Sequence, residues 1–349
     1  MSRTKGLDIV SLNTEVPVPA PGERVTPRPV LEVSDLRVSY PTVAGPVEIV
    51  SGFDLTVAKG ERVALVGESG SGKSVTARAL LRLDHRATVS GRILLDGTDL
   101  LTLSGAEMRA RRGRRIGLML QDPMTTLNPV RTIGSQVMEA LRVHGVGRAE
   151  ARRRSVETLD MLGIPDAARR MRSYPHEFSG GMRQRVCLAM AIVAHPDLLI
   201  ADEPTTALDV RVQEQVLSLI DSLVDEIGMG VVLITHDLGL VAGFADRVSV
   251  MYAGRGVERG PVRELYRTPR HPYTAGLLAS VPRVDRDGAL APIAGSPAQP
   301  ASRPGGCAFH PRCARAESDC ATVLPEPRRI GAADVACHHP LTAAEEGPR

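Results

Sequence analysis

Gly67-Glu68-Ser69-Gly70-Ser71-Gly72-Lys73-Ser74 follows a short apolar stretch, Arg62 to Val66, and opens a helical pattern that runs from Lys73 to Leu83. Strand, glycine-rich loop and helix in that order form a phosphate-binding loop. The glycines let backbone amides wrap a polyphosphate. Lys73 reaches its terminal phosphates, and the Ser74 hydroxyl suits a Mg²⁺ ion. Val75 completes the nucleotide-binding segment at the start of the helix. A merely structural glycine turn is set aside because the match is full and its context is the required one.

The flanking segments supply the rest of a hydrolytic site. Leu198 to Asp202 is a buried-strand pattern that ends in two carboxylates, Asp202 and Glu203. Asp202 is placed to hold the Mg²⁺ shell and Glu203 to polarise an attacking water. Adjacent carboxylates at a strand end can also cap a helix, so this pair gains its weight from the phosphate loop. His236 follows another apolar strand, Val231 to Thr235, where an open α/β sheet delivers ligand-contacting groups. Gln121 stands in a similar position after Ile116 to Leu120. Strands alternating with helical sequence predict a parallel α/β core. The alternation of Leu31, Val33, Leu36, Val38 and Tyr40, the segment Val47 to Val57, and Ile93 to Leu95 entering Asp96-Gly97 predict an antiparallel β layer. Residues 122–178 read as helical pieces without a strand, and so as an inserted helical subdomain.

Ser179-Gly180-Gly181-Met182-Arg183-Gln184-Arg185 is a second glycine-rich stretch, and it opens the helical pattern of Met182 to Val193. Exposed amides at such a helix start are a second place to hold phosphate. Two separate phosphate cradles in one chain suggest that each works opposite its counterpart on another chain, as in an ATP-driven dimer.

Composition limits the alternatives. The 349 residues suffice for one large domain with an appendage, or for two domains. Aromatics are only 3%, with no Trp, which argues against a stacking platform for nucleic acid. A net charge of +3 is too small to argue for a polyanionic partner, and the arginine-rich run Arg109 to Arg115 reads as a solvated helix end or loop. No apolar run approaches the roughly 20 residues of a membrane span. Residues 1–30 are proline-rich without periodicity and lack the apolar segment of a signal peptide, so they read as a disordered lead. The chain is therefore expected in the cytoplasm, with any membrane role reached through a partner.

After Gly260, Pro, Arg and Gly increase, and four of the five cysteines fall between 307 and 337. This tail is expected to be a separate, loop-rich module. Cys307, Cys313, Cys320 and Cys337 match neither a zinc-ribbon pair nor a common ferredoxin run. Four thiols in a short cytoplasmic tail still point to a metal, because disulfides are disfavoured there. Iron–sulfur, zinc and no metal stay open, with His310, His338 and His339 as substitute ligands. Cys187 lies in an apolar helical pattern and reads as core.

Taken in order, Tyr40, Gly67–Ser74, Gln121, Ser179–Arg185, Asp202–Glu203, Ala207-Leu208-Asp209 and His236 resemble an ATP-binding cassette ATPase over about 230 residues. The resemblance implies a P-loop core at 31–260, with an antiparallel β subdomain and a helical subdomain near 122–178, followed by an extension at 261–349. It implies that Tyr40 stacks on adenine and that Gln121 senses Mg²⁺ and couples to a transmembrane partner. Ser179, Gly180, Gly181 and Gln184 would meet ATP held by the opposite subunit, Asp209 would lie at the dimer seam, and His236 would hold the γ-phosphate. Phe178 stands where the family commonly has Leu.

Gln121-Asp122-Pro123-Met124-Thr125-Thr126-Leu127-Asn128-Pro129, Arg270-His271-Pro272-Tyr273-Thr274-Ala275-Gly276-Leu277-Leu278 and the cysteine-bearing tail are similar to dipeptide and oligopeptide importers. That likeness implies ATP and Mg²⁺, a second ATPase subunit (a homologue or an identical copy), two transmembrane permease subunits and an extracytoplasmic substrate-binding protein. It places the chain peripherally on the cytoplasmic face of the membrane, without nucleic acid, and points to a [4Fe–4S] cluster on the four cysteines. An importer of nickel or another small solute is the alternative within the family. A soluble, non-transport cassette ATPase is the alternative outside it.

Overall fold

The computed structural model describes residues 29–205, 210–281 and 292–342. Pro29–Thr42 and Gly45–Ala58 form a long antiparallel hairpin, with Leu31 opposite Val57 and Val38 opposite Val50. The alternation that marks the first strand breaks between Val33 and Leu36. There the register shifts and Asp35 takes φ 46°, so Leu36 and Val38 still face the core. Thr88–Leu95 pairs with the first strand and returns as Thr98–Asp99. The turn between them carries positive φ at Asp96 and Gly97, the backbone twist that a two-residue hairpin favours.

The second sheet has eight strands, in the order Arg328–Ile330, Ala333–Val335, Arg255–Pro261, Arg247–Tyr252, Arg62–Val66, Gly230–Thr235, Leu198–Asp202, Ile116–Met119. The last five of these run parallel. Gly230–Thr235 and Leu198–Asp202 are buried along their whole length, as expected of strands covered on both faces. Parallel strands end on the same side. Val66, Met119, Asp202 and Thr235 therefore deliver the glycine loop, Gln121, Glu203 and His236 to one rim.

Residues 122–178 hold helices Pro123–Thr126, Ile133–Arg142, Arg148–Met161 and Ala167–Arg170, with no strand. Ile133, Val137, Leu141, Leu159, Leu162 and Phe178 pack into the same core as Leu199 and Leu233. Thr132 caps Ile133–Arg142 by accepting from Ser135 N at 3.3 Å. Arg170 lies 5.2 Å from the Phe178 ring, a cation–π contact that fixes this large side chain beneath the second glycine-rich stretch. No helix among the described residues is long and apolar enough to cross a membrane.

The tail is loop-rich but not separate. Ala333–Val335 joins the main sheet beside Arg255–Pro261, and Tyr273, Ala308 and Phe309 enter the principal core. Tyr252, Tyr273 and Phe309 meet in tilted and edge-to-face pairs, with centroids 4.6 Å apart for Tyr252–Tyr273, 5.3 Å for Tyr252–Phe309 and 5.2 Å for Tyr273–Phe309. Each such pair contributes about 0.5–1.5 kcal/mol beyond the area it buries. A composition shift marks where turn residues begin; it carries no record of a long-range edge pairing.

His271 caps helix Pro272–Ala279, its Nδ1 accepting from Tyr273 N at 3.0 Å. Full burial pushes its pKa from 6.5 down to about 3. The unfolded chain therefore takes up a proton below pH 6.5 while the folded chain stays neutral, and stability falls as the pH drops through that window. Between pH 6.5 and 5 the expected loss from this one group is about 2 kcal/mol. Denaturant unfolding of wild type and His271→Asn, which retains a cap acceptor, measures it. Parallel pH slopes for the two proteins would show that His271 is not held neutral.

Candidate functional site

The phosphate loop is built against the strand Arg247–Tyr252. Gly67 has φ 153°, and a Cβ there would lie 2.2 Å from the Met251 carbonyl oxygen, so only glycine fits. The turn after that strand closes the other side, with Gly254 N donating to Ser71 O at 2.8 Å. Lys73 begins helix Lys73–Leu80 and is 5% exposed. Its Nζ donates to the carbonyls of Gly67 at 2.7 Å and Glu68 at 2.9 Å. Burial lowers its pKa, against the opposing pull of Glu203, Asp202 and Glu68.

Ser74 Oγ donates to Asp202 Oδ1 at 3.0 Å. Burial raises the Asp202 carboxyl above its ordinary range, and the Ser74 hydrogen bond works against that rise. A hydroxyl and a carboxylate at this spacing beside a phosphate loop are hard oxygen donors, the set that fits Mg²⁺.

Glu203 leaves its strand in the left-handed region, φ 48°, with its N–H donating to Ile234 O at 2.8 Å. A non-glycine residue in that conformation stores about 1–3 kcal/mol of strain, a cost met most often at active sites. The turn brings one carboxylate between two neighbouring strand ends. Oε2 accepts from Gln121 Nε2 at 2.8 Å, and Oε1 lies 3.2 Å from His236 Nδ1. The Glu203 side chain is 15% exposed and that of His236 60%, so the carboxylate is oriented from within while the imidazole faces solvent. A carboxylate held in this way can take a proton from water.

The remaining sequence candidates are distributed differently. Tyr40 is half-buried against the core of the smaller sheet, and burial together with Asp84 raises its pKa. Ser179 caps helix Gly180–Ile192, accepting from Met182 N at 3.3 Å, and both Ser179 and Gly180 are exposed. Gly181 packs against the next helix, where a Cβ would lie 2.8 Å from Val212 Cγ1. Gln184, expected to meet a nucleotide on another chain, is instead 1% exposed and donates to the Pro204 carbonyl. It ties the second glycine-rich stretch to the segment after Glu203, because its side chain points to the interior side of the helix, where Pro204 lies. Ala207, Leu208 and Asp209 lie outside the described residues.

Cys307, Cys313, Cys320 and Cys337 line one small cavity together with His271, His310, His338 and His339. Burial pushes the Cys337 thiol up to about 12, and the other three cysteines add to the rise, since clustered thiolates repel one another. Two of these residues, Cys320 and His339, also group with Asp319, and the ligand atoms of the three all lie within 4.8 Å of one another. Cys187 is buried, and burial raises its thiol pKa to about 12, as the core reading expects.

Two further contacts on the phosphate loop escaped the sequence reading. Tyr273 Oη accepts from Glu68 N at 2.9 Å, and Arg312 grips the Glu68 carboxylate. Arg312 ends a short 3-10 helix, His310–Arg312, between Cys307 and Cys313, and nothing local in the sequence marks it.

Comparison with known proteins agrees with this geometry. Residues 50–206 match the family model described as ABC transporter, and residues 257–320 match that described as oligopeptide/dipeptide transporter, C-terminal region. The chain is 52% identical over 303 residues to a Brucella abortus protein named as a candidate peptide import ATP-binding protein, covering 86% of this chain and 91% of that one. It is also 52% identical to the oligopeptide transport ATP-binding protein OppD of Mycobacterium tuberculosis, covering 85% of this chain but only 50% of that longer relative. Among solved structures, it resembles the dimeric post-hydrolysis state of the ATP-binding cassette MJ0796 bound to ADP and phosphate. That match has a TM-score of 0.60 and 28% identity, and covers 67% of this chain and 99% of that one.

Proposed function

This chain belongs to the ATP-binding cassette transporter family, and from that premise we infer that it is the ATP-hydrolysing subunit of a membrane importer for di- or oligopeptides. The observation that carries the peptide reading is the match of residues 257–320 to the oligopeptide/dipeptide transporter C-terminal region, on a chain whose relatives are named for peptide import.

In this reading the loop amides and Lys73 bind the ATP phosphates, with Tyr40 against adenine. Ser74, Asp202 and Gln121 hold Mg²⁺, which neutralises charge on the phosphates. Glu203, aimed by Gln121 and His236, draws the proton from the attacking water, while Lys73 and His236 stabilise the charge that develops. Ser179, Gly180 and Gly181 complete a site on a second ATPase subunit, a homologue or an identical copy, with Asp209 at the seam. The exposure of Ser179 and Gly180 at a helix N-terminus supports that role.

Two transmembrane permease subunits dock near Gln121 and residues 122–178, where Met124 is 65% and Val130 80% exposed. A substrate-binding protein outside the membrane presents the cargo, and the chain itself sits on the cytoplasmic face. The test is ATP hydrolysis by the assembled complex in vesicles. Stimulation by peptide-loaded binding protein supports the reading. Stimulation by nickel alone moves the chain to a small-solute importer. Activity wholly independent of the permeases points to a soluble ATPase.

The four thiols in one cavity support a [4Fe–4S] cluster held by Cys307, Cys313, Cys320 and Cys337, with zinc as the competing occupant. Anaerobically purified chain is expected to carry about four iron and four sulfide per molecule and to absorb near 400 nm, and Cys313→Ser to lose both. Stoichiometric zinc without sulfide would overturn the cluster.

A further inference from the structure

Glu68, the second residue of the phosphate loop, is held from outside the loop by the C-terminal extension. Arg312 donates to both of its carboxylate oxygens, Nη1 to Oε2 at 2.7 Å and Nη2 to Oε1 at 3.0 Å. This is the paired-donor geometry that makes arginine–carboxylate contacts strong and directional. The Arg312 side chain is only 4% exposed. It is fixed by Nε donating to Ala294 O at 2.9 Å and by the rings of Tyr252 and Phe309, 5.9 and 5.8 Å from its guanidinium. The Glu68 N–H donates to the hydroxyl of Tyr273, which is fully buried in the same aromatic cluster. The Glu68 carbonyl, at the other end of the residue, accepts from Lys73 Nζ.

Glu68 thus stands between the extension and the lysine that meets the phosphates. A carboxylate in a loop that binds a polyanion is electrostatically adverse. Pairing with a buried guanidinium offsets that charge and ties the side chain to the extension. The Tyr273 hydroxyl at the same time fixes the Gly67–Glu68 peptide plane, whose Gly67 carbonyl accepts from Lys73 Nζ at 2.7 Å. We propose that Arg312 and Tyr273 are positioning residues for ATP binding: they hold Glu68 so that its negative charge is neutralised and the carbonyls on either side of its backbone, Gly67 O and Glu68 O, orient Lys73. The proposal rests on the ATPase reading above and adds to it a role for the extension at the nucleotide site.

The test is calorimetric titration of full-length chain with Mg-ATP, together with KM and kcat for ATP in the assembled transporter. Arg312→Ala is expected to raise Kd and KM about tenfold and to change kcat by less than about threefold, because the water-activating carboxylate is not touched. Adding Glu68→Gln to Arg312→Ala is expected to recover most of the lost affinity, since the uncompensated charge is then gone. A merely structural role would give no such recovery. Tyr273→Phe, which deletes one hydroxyl and keeps the ring packing, is expected to raise Kd about threefold.

The proposal is overturned if Arg312→Ala and Tyr273→Phe both bind within about twofold of wild type. It is equally overturned if Glu68→Gln recovers no affinity in the Arg312→Ala background. Should Arg312→Ala fail to fold, Arg312→Lys, which keeps the charge and loses the fork, takes its place, and wild-type affinity there and in Tyr273→Phe overturns it. Failure of the wild-type chain to bind Mg-ATP would instead sink the ATPase reading itself.

Discussion

Replacing Glu203 by Gln is expected to lower the turnover of ATP in the assembled transporter by about 10²–10⁴-fold, the range that a positioned general base supplies. Mg-ATP affinity should stay within about threefold of wild type, because the two side chains have the same shape and the phosphate loop is unaltered. The geometry makes this a clean test. Gln121 Nε2 can donate to an amide oxygen as it does to Glu203 Oε2, and His236 Nδ1 can accept from the amide NH₂ in its other tautomer. The orientation survives and only the proton acceptor is removed. Single-turnover hydrolysis measured alongside equilibrium binding separates the two effects. Turnover within about threefold of wild type would remove Glu203 from the chemistry.

The second large effect is expected from Lys73→Ala. Its ammonium is buried and donates to two loop carbonyls, Gly67 O and Glu68 O. Truncation takes the cation away from the nucleotide and leaves both carbonyls without that donor. Hydrogen bonds to charged groups contribute about 1.5–3 kcal/mol each, so ATP affinity should fall by about a hundredfold or more. Lys73→Arg should not restore it, since a planar guanidinium does not replace a compact ammonium in a site with 5% exposure. Equilibrium titration with Mg-ATP on protein checked for an intact unfolding transition is the measurement. A folded Lys73→Ala chain that binds ATP within about threefold of wild type would contradict the assignment.

Legibility in the sequence followed distance along the chain. The phosphate loop is eight consecutive residues, and strand, glycines, lysine and serine are all local signals. The Asp202–Glu203 pair at the end of a fully apolar strand is likewise local. Parallel order could be read from alternation because strands buried on both faces leave continuous apolar runs. The partners of Glu203 were legible as positions but not as contacts. Gln121 lies 82 positions away and His236 lies 33, and only the parallel register brings them to one rim. Gln184 misled because a motif assigns a residue to a stretch, whereas burial depends on which side of the helix it occupies.

The tail was the least legible part. Its composition announced turns and thiols, yet its strand closes the edge of the main sheet and its Arg312 acts 244 positions away on Glu68. By itself the sequence determined that this chain binds a nucleoside triphosphate on a parallel α/β core and carries a second glycine-rich helix start, since both depend on neighbours in the chain. The tertiary structure alone decided that Gln121 and His236 meet at the Glu203 carboxylate, that four cysteines share one cavity, and that the extension grips the phosphate loop. Those contacts join residues whose proximity is created by sheet pairing and core burial, and no local pattern of residues encodes them.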